Sequence, residues 1–323
     1  MVNIMRNRRD RRDPNHIVLF ITNRIYRGLP LLSCQFMNEI IAGIMAKSQD
    51  LYPVQICHFL WMSNHYHMIV AGRAKFLSNF ICQMQSEIAK AVIKFFPNYK
   101  GKVWENRFKE QRLCTPEDVM DKIVYTYANP VKAGLVKSAA NWTGCSSYKM
   151  FLTDSYKLAA RWTPSRKLKQ LPPKLNRHKE FTLLKELRSL PHTDYELVIQ
   201  PYVWKKCFEE SKSWNDEEIR ATLQARIKKE EETFALLYKN KFKGIERIKY
   251  NPIDLKYTPE EKDKTPYLIC YLNDLRIKLI ADYKEFCARC TKAWQDWKQG
   301  KAKADYVFGA YRPSMPIANI QLT

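Results

Sequence analysis

Residues 54–70 read VQICHFLWMSNHYHMIV, and this stretch decides the architecture. Val54 to Met62 is apolar, with the composition of a strand. Ser63 and Asn64 are turn formers. His65 to Val70 then returns as a second strand, so the pair reads as a hairpin. Side chains at i and i+2 of a strand point the same way, which sets His65 and His67 on one face, about 6–7 Å apart along the backbone. That separation lets both imidazoles reach one cation, on a hairpin that gives a ligand pair rigid support. Taken alone, a His-x-His is more often a pair of surface histidines or a satisfied core histidine. His58, on the preceding strand, has apolar neighbours and reads as structural.

Working outward, His16 to Asn23 (HIVLFITN) is a further strand, broken by Gly28 and Pro30. Gln35 to Lys47 has helical spacing, with Phe36, Ile40, Ile41, Ile44 and Met45 on one side. A long amphipathic helix is expected over residues 76–96, with Phe80, Ile81, Met84, Ile88 and Val92 in its stripe. Val103 to Leu113 reads as extended. Thr115-Pro116-Glu117-Asp118 opens another helix: a capping hydroxyl, proline in the first turn, and acids at the positive end of the dipole. Asn129-Pro130 is expected to end it near Ala128. Strand, helix, strand, strand, helix, strand, helix is the order of an α+β fold, an antiparallel sheet with helices on one face.

The helix after Thr115 carries two tyrosines. At about 100° per residue, Val119, Met120, Ile123 and Val124 define an apolar face with Tyr127 at its centre. Tyr125 falls on the polar side with Asp118, Asp121, Lys122 and Asn129. Tyr125 and Asn129 are i and i+4, one above the other. If this side meets the histidine strand, the site gains a phenol nucleophile and an amide oxygen.

The chain has 323 residues, 55 Lys+Arg against 33 Asp+Glu, and a net charge of +22. Residues 1–150 hold 21 basic and 10 acidic side chains and residues 151–323 hold 34 and 23, a surplus of 11 in each part. A surplus that large and that evenly spread points to a polyanion, most often nucleic acid. The nine cysteines form no paired framework; with no apolar run after the N-terminal arginines, a reduced cytoplasmic protein is expected. Cys287-x-x-Cys290 lacks a second pair and sits in a helical pattern, which argues against zinc. No apolar run is long enough to span a bilayer.

Trp61-Met62-Ser63-Asn64-His65-Tyr66-His67 resembles the Met-Pro-Asn-His-x-His motif of the REP-associated tyrosine transposases, within the single-tyrosine HUH class of insertion-sequence transposases. Tyr125 to Val136 (YTYANPVKAGLV) resembles that family's Tyr-x-x-x-Asn-Pro-Val-Arg-Ala-Gly motif. Trp104 with Arg107, and Trp142 with Ser146-Ser147-Tyr148, are similar to its other landmarks. Ser63 replaces the usual proline and Lys132 the usual arginine, and the resemblance covers about residues 14–150.

The resemblance implies an RRM-like or ferredoxin-like sheet. It implies that His65, His67 and Asn129 hold a divalent metal, Mg²⁺ or Mn²⁺, and that Tyr125 attacks single-stranded or hairpin DNA of repeat-type palindromes through a 5′-phosphotyrosine. Arg107, Lys109, Arg112 and Lys132 are the candidate phosphate contacts and Trp104 the candidate base-stacking side chain. The expected organisation is a flexible basic arm over 1–15, a catalytic domain over 16–150, and a mainly helical basic extension over 151–323. In that extension Pro164, Pro172 and Pro173 mark a linker, helices fall near 214–240 and 270–298, and Arg226, Lys228 and Lys229 share one helix. The setting is a bacterial-type, nucleoid-associated cytoplasm without membrane contact, with a homodimer allowed. The competing readings are a non-catalytic structured-DNA-binding protein and a metal-dependent phosphodiesterase that activates water.

Overall fold

A computed structural model describes residues 9–13, 15–26, 31–99, 101–172, 174–250, 266–299 and 305–310. Gly28, Pro30 and Pro173, the arm residues 1–8 and 14, and the tail from 311 on lie outside the described residues. Two compact units are present, one spanning Asn15–Ile269 and the other joining residues before 15 to those from Cys270 on. The first runs across the boundary expected at residue 150.

The sheet of the first unit is built on β1 (Val18–Arg24). Helix α1 (Gln35–Leu51) leads to the hairpin of β2 (Ile56–Trp61) and β3 (His65–Ala71), and α2 (Leu77–Phe95) to β4 (Lys109–Leu113). The strand order is β2-β3-β1-β4, antiparallel throughout, which is the ferredoxin-like arrangement. A two-residue strand β7 (Leu268–Ile269) adds to β4 in parallel. Residues 103–113 were expected to be extended as a whole; only Lys109–Leu113 enters the ladder, and Trp104 makes one isolated bridge to Ile25.

Alternation along β1 divides its side chains between two cores. Leu19 and Ile21 join Phe59, Trp61, Tyr66 and Met68 under α1 and α2. Val18 and Phe20 join Leu60, Ile69 and Leu113 on the other side. Helices on one face was the expectation, and it holds for α1 and α2 alone. Helix α3 (Pro116–Lys132) covers the opposite face with Val119, Ile123, Tyr127 and Val131. The physical reason is in β2 and β3, which carry apolar side chains on both faces, every residue but His65 being buried.

Helix α3 also runs past its expected end. Pro130 sits in its last turn, buried, where a missing backbone N–H costs a single ladder bond and the chain regains a regular bond at Ala133 to the Asn129 carbonyl. Among the described residues the further α-helices of this unit are the short α4 (Tyr148–Leu152), α5 (Arg177–Ser189), α6 (Asp216–Leu237) and α7 (Ile245–Lys249). α6 lies along α3, and its Ile219, Leu223 and Ile227 are fully in the α3-side core.

The stretch read as a linker is structured. β5 (Lys157–Trp162) and β6 (Thr193–Val198) pair antiparallel, joined through α5, and Leu197 is buried with α1. Gly43 of α1 makes this possible: a Cβ there would stand 2.1 Å from the Arg161 carbonyl oxygen.

In the second unit, helix α8 (Asn273–Lys298) buries Phe286, Cys287 and Cys290 in a small core. Arg12 holds Asp10 and Asp282 with paired hydrogen bonds and lies over the Phe286 ring, which ties this part of the arm to α8. No helix among the described residues is long and apolar enough to cross a membrane.

Candidate active site

Two elements far apart in sequence meet here. β3 presents His65 and His67 on the face that α3 covers. The turn before them is closed by the Met62 N–H donating to the His65 carbonyl at 2.8 Å. The two rings lie 4.8 Å apart, centroid to centroid, one edge-on to the other. His67 is 5% exposed and stacks on Phe20 of β1 at 5.3 Å. His65 sets its Nδ1 2.7 Å from the Asn64 side-chain oxygen. Because an amide oxygen can only accept, that contact puts the proton on Nδ1 and makes Nε2 the ring nitrogen of His65 that carries a lone pair.

The helix is fixed at its start. Thr115 Oγ1 accepts from the Asp118 N–H and donates to the Asp118 carboxylate at 2.7 Å, with Pro116 in the first turn. Two turns later Tyr125 comes over the sheet half-buried, its ring 5.4 Å from His67 and 6.1 Å from Phe20. Asn129, one turn on, places its amide 3.1 Å from Nε2 of His67. The structure thus brings His65, His67, Tyr125 and Asn129 together.

Burial holds the Tyr125 phenol above its ordinary value, and the hydrogen bond with Asn129 partly offsets this. Two ammonium groups flank the ring: Lys122 Nζ at 4.8 Å and Lys132 Nζ at 5.3 Å from its centre. Burial lowers Lys122; the nearby carboxylate of Asp121 opposes that and the charge of Lys132 adds to it.

Tyr127 turns the other way, as its helical position dictates. Its hydroxyl lies 2.7 Å from His58 Nδ1 and 2.9 Å from Ser147 Oγ. His58 Nε2 is 3.1 Å from the Pro201 carbonyl, an obligate acceptor, so the ring is protonated on Nε2 and takes the tyrosine proton at Nδ1. Burial pushes His58 down to about 3. This pair is core, not site.

The expected DNA contacts divide. Lys109 is exposed and lies opposite Thr22, which itself lies opposite His67, so it sits on the site face. Lys132 caps the tyrosine ring. Arg107 is exposed in the loop after Trp104, a loop pinned by the Asn23 amide donating to the Asn106 carbonyl at 3.0 Å. Arg112 and Trp104 lie apart from the histidine face. Arg112 lies opposite Leu19, whose side chain enters the α1–α2 core, so it belongs to the far face of the sheet. Trp104 is on that face too, its ring 5.9 Å from Tyr66 and its indole N–H donated to the Gln85 carbonyl at 2.9 Å.

Sequence reasoning missed Phe20 and Asn64, the two residues that orient the imidazoles. Phe20 was legible as the same-face neighbour of Val18 and Thr22 once the register was known; Asn64 had no signal beyond its turn. Among the described residues no three His, Cys, Asp or Glu cluster as a metal site. The donor set that does fit a divalent cation is two imidazoles and a carboxamide. Rotating the Asn129 amide exchanges its NH₂ for its oxygen toward His67.

No protein-family model and no curated protein matches the chain. Among solved structures, it is similar to a REP-associated tyrosine transposase bound to a REP hairpin, at 18% identity and a TM-score of 0.35, over 47% of this chain and 86% of that one.

Proposed function

We propose that this protein is a single-strand DNA endonuclease and strand-transferase in which Tyr125 is the nucleophile. The observation that supports the reading most is a single residue, His67, in contact with the Tyr125 ring at 5.4 Å and the Asn129 amide at 3.1 Å, with His65 beside it.

Tyr125 Oη attacks a backbone phosphorus of single-stranded or hairpin DNA. The P–O3′ bond breaks, and the leaving 3′ oxygen takes up a proton. The product is a 5′-phosphotyrosine, in which the phosphodiester energy is kept. A second 3′-hydroxyl reverses the step and joins a new strand without a nucleotide cofactor. Lys122 and Lys132 supply positive charge beside the forming bond. Phe20 holds the His67 ring and Asn64 fixes the protonation of His65, so neither imidazole must reorganise during the reaction. His65, His67 and Asn129 would hold Mg²⁺ or Mn²⁺, imidazole favouring the latter. That ion, when bound, orients the scissile phosphate and offsets charge on its nonbridging oxygens. The phenol's raised value means its proton is still on at neutral pH in the resting protein and must leave as attack begins.

The test is a labelled single-stranded oligonucleotide incubated with the protein in Mg²⁺ or Mn²⁺ and run on a denaturing gel. Wild-type protein yields a protein–DNA adduct, Tyr125→Phe yields none, and Tyr127→Phe yields it at a stability lower by about 1–3 kcal/mol. An equal adduct from Tyr125→Phe rejects the assignment. Free cleaved product with both tyrosines dispensable points to activated water instead.

A further inference from the structure

The helix that carries Tyr125 has a ridge at four-residue spacing: Glu117, Asp121, Tyr125, Asn129. Its first half is acidic, and two like charges one turn apart repel. Asp121 is one turn before Tyr125, so its carboxylate shares a face with the phenol. Lys122 stands next to it in the chain and faces the same ring from three residues away.

Neither Lys122 nor Lys132 forms an ion pair among the described residues. Two ammonium groups near one phenol, one of them half-buried, are costly to hold together without an anion. The two nearest acids are engaged elsewhere. Asp118 accepts from Thr115. Asp121 is reached by Arg226 of α6, 3.4 Å from its Oδ1, while the same guanidinium grips both oxygens of Glu117. α6 is anchored for this by Leu223 and Ile227 on either side of Arg226, both almost wholly buried.

We propose that Arg226 of α6 is a positioning residue that draws the Asp121 carboxylate away from Tyr125, and so keeps Lys122 unpaired, to act with Lys132 as a clamp for the DNA phosphate on which Tyr125 acts. This rests on the reading of Tyr125 as nucleophile, and it gives part of the region after residue 150 a role in the site. Without Arg226, a free carboxylate one turn before the nucleophile neutralises Lys122 and repels the phosphate. Through Arg226, α6 acts by removing an internal competitor.

The experiment measures binding apart from catalysis. A fluorescein-labelled single-stranded oligonucleotide of mixed sequence is titrated with full-length protein carrying Tyr125→Phe, over a range of salt concentrations. Removing one cation–phosphate pair lowers the slope of log K against log salt by about 0.7. Lys122→Met and Arg226→Met are each expected to lower the slope by about that amount, and the two together by no more than either alone. Adding Asp121→Asn to Arg226→Met restores the slope. Adding Glu117→Gln, which removes the same charge one turn further from Tyr125, does not. An unchanged slope in Lys122→Met, or equal rescue by both acid substitutions, overturns the proposal. If Arg226→Met fails to fold, Asp121→Asn alone decides: with Arg226 in place it is expected to leave the slope unchanged, and a steeper slope would show that Arg226 does not hold the carboxylate off and overturn the proposal. Absence of adduct from protein with Tyr125 intact would reject the nucleophile and leave the binding result standing.

Discussion

His58 and Tyr127 meet in the middle of the α3-side core as a neutral pair, and their protons are assigned by an obligate acceptor, the Pro201 carbonyl. That pairing sets a pH dependence. The folded value of about 3 lies below the ordinary 6.5, so between them the unfolded chain takes up a proton that the folded chain refuses. Stability from this group is complete above the ordinary value and falls as pH drops toward the folded one, by at most about 1.4 kcal/mol per pH unit. Urea unfolding should show the wild type losing more stability than His58→Gln on going from neutral to mildly acidic solution. Parallel losses would mean that His58 is not held neutral. At this scale the sequence separated the two tyrosines correctly, because Val119, Met120, Ile123 and Val124 set the helix face by angle alone. It did not give the face that Trp104 takes, because which side of a sheet an aromatic occupies depends on register with another strand, and register is not a local property.

Among elements, α1 and the β5–β6 hairpin lock through an absent side chain. Gly43→Ala puts a methyl 2.1 Å from the Arg161 carbonyl oxygen, with backbone on both sides and nothing flexible to yield. The expected cost is about 1–3 kcal/mol, with faster amide exchange across residues 157–162 and 193–198. The adduct yield should stay as it was, since α1 packs on the sheet face away from Tyr125; a matching drop in adduct would show the two faces to be coupled. The long amphipathic helices and the hairpin were legible because each carries its own period. The β5 strand was not: apart from Ala160 its side chains are exposed or half-buried, so no alternation marks it, and pairing with β6 and packing on α1 make it a strand. Pro130 misled for a related reason. A proline near the end of a helix forfeits one hydrogen bond, and burial of Tyr127 and Val131 outweighs it.

Over the whole molecule, a surplus of basic side chains spread evenly through the chain is consistent with strongly salt-dependent DNA binding. It does not say which cations matter. Arg226 stands in the sequence as one of three cations on a helix, and the fold commits it to two carboxylates. Nor did composition reveal that the first compact unit continues to Ile269, because the cores that α1 and α3 share with residues 151–227 are built from segments distant in sequence. The meeting of His67 and Tyr125 is made within one polypeptide, and this has a stoichiometric corollary. Two differently crippled copies have nothing to lend each other. Mixing Tyr125→Phe protein with His67→Ala protein should give no more adduct than either alone at any ratio, whereas a centre shared between subunits would recover activity in the hybrids.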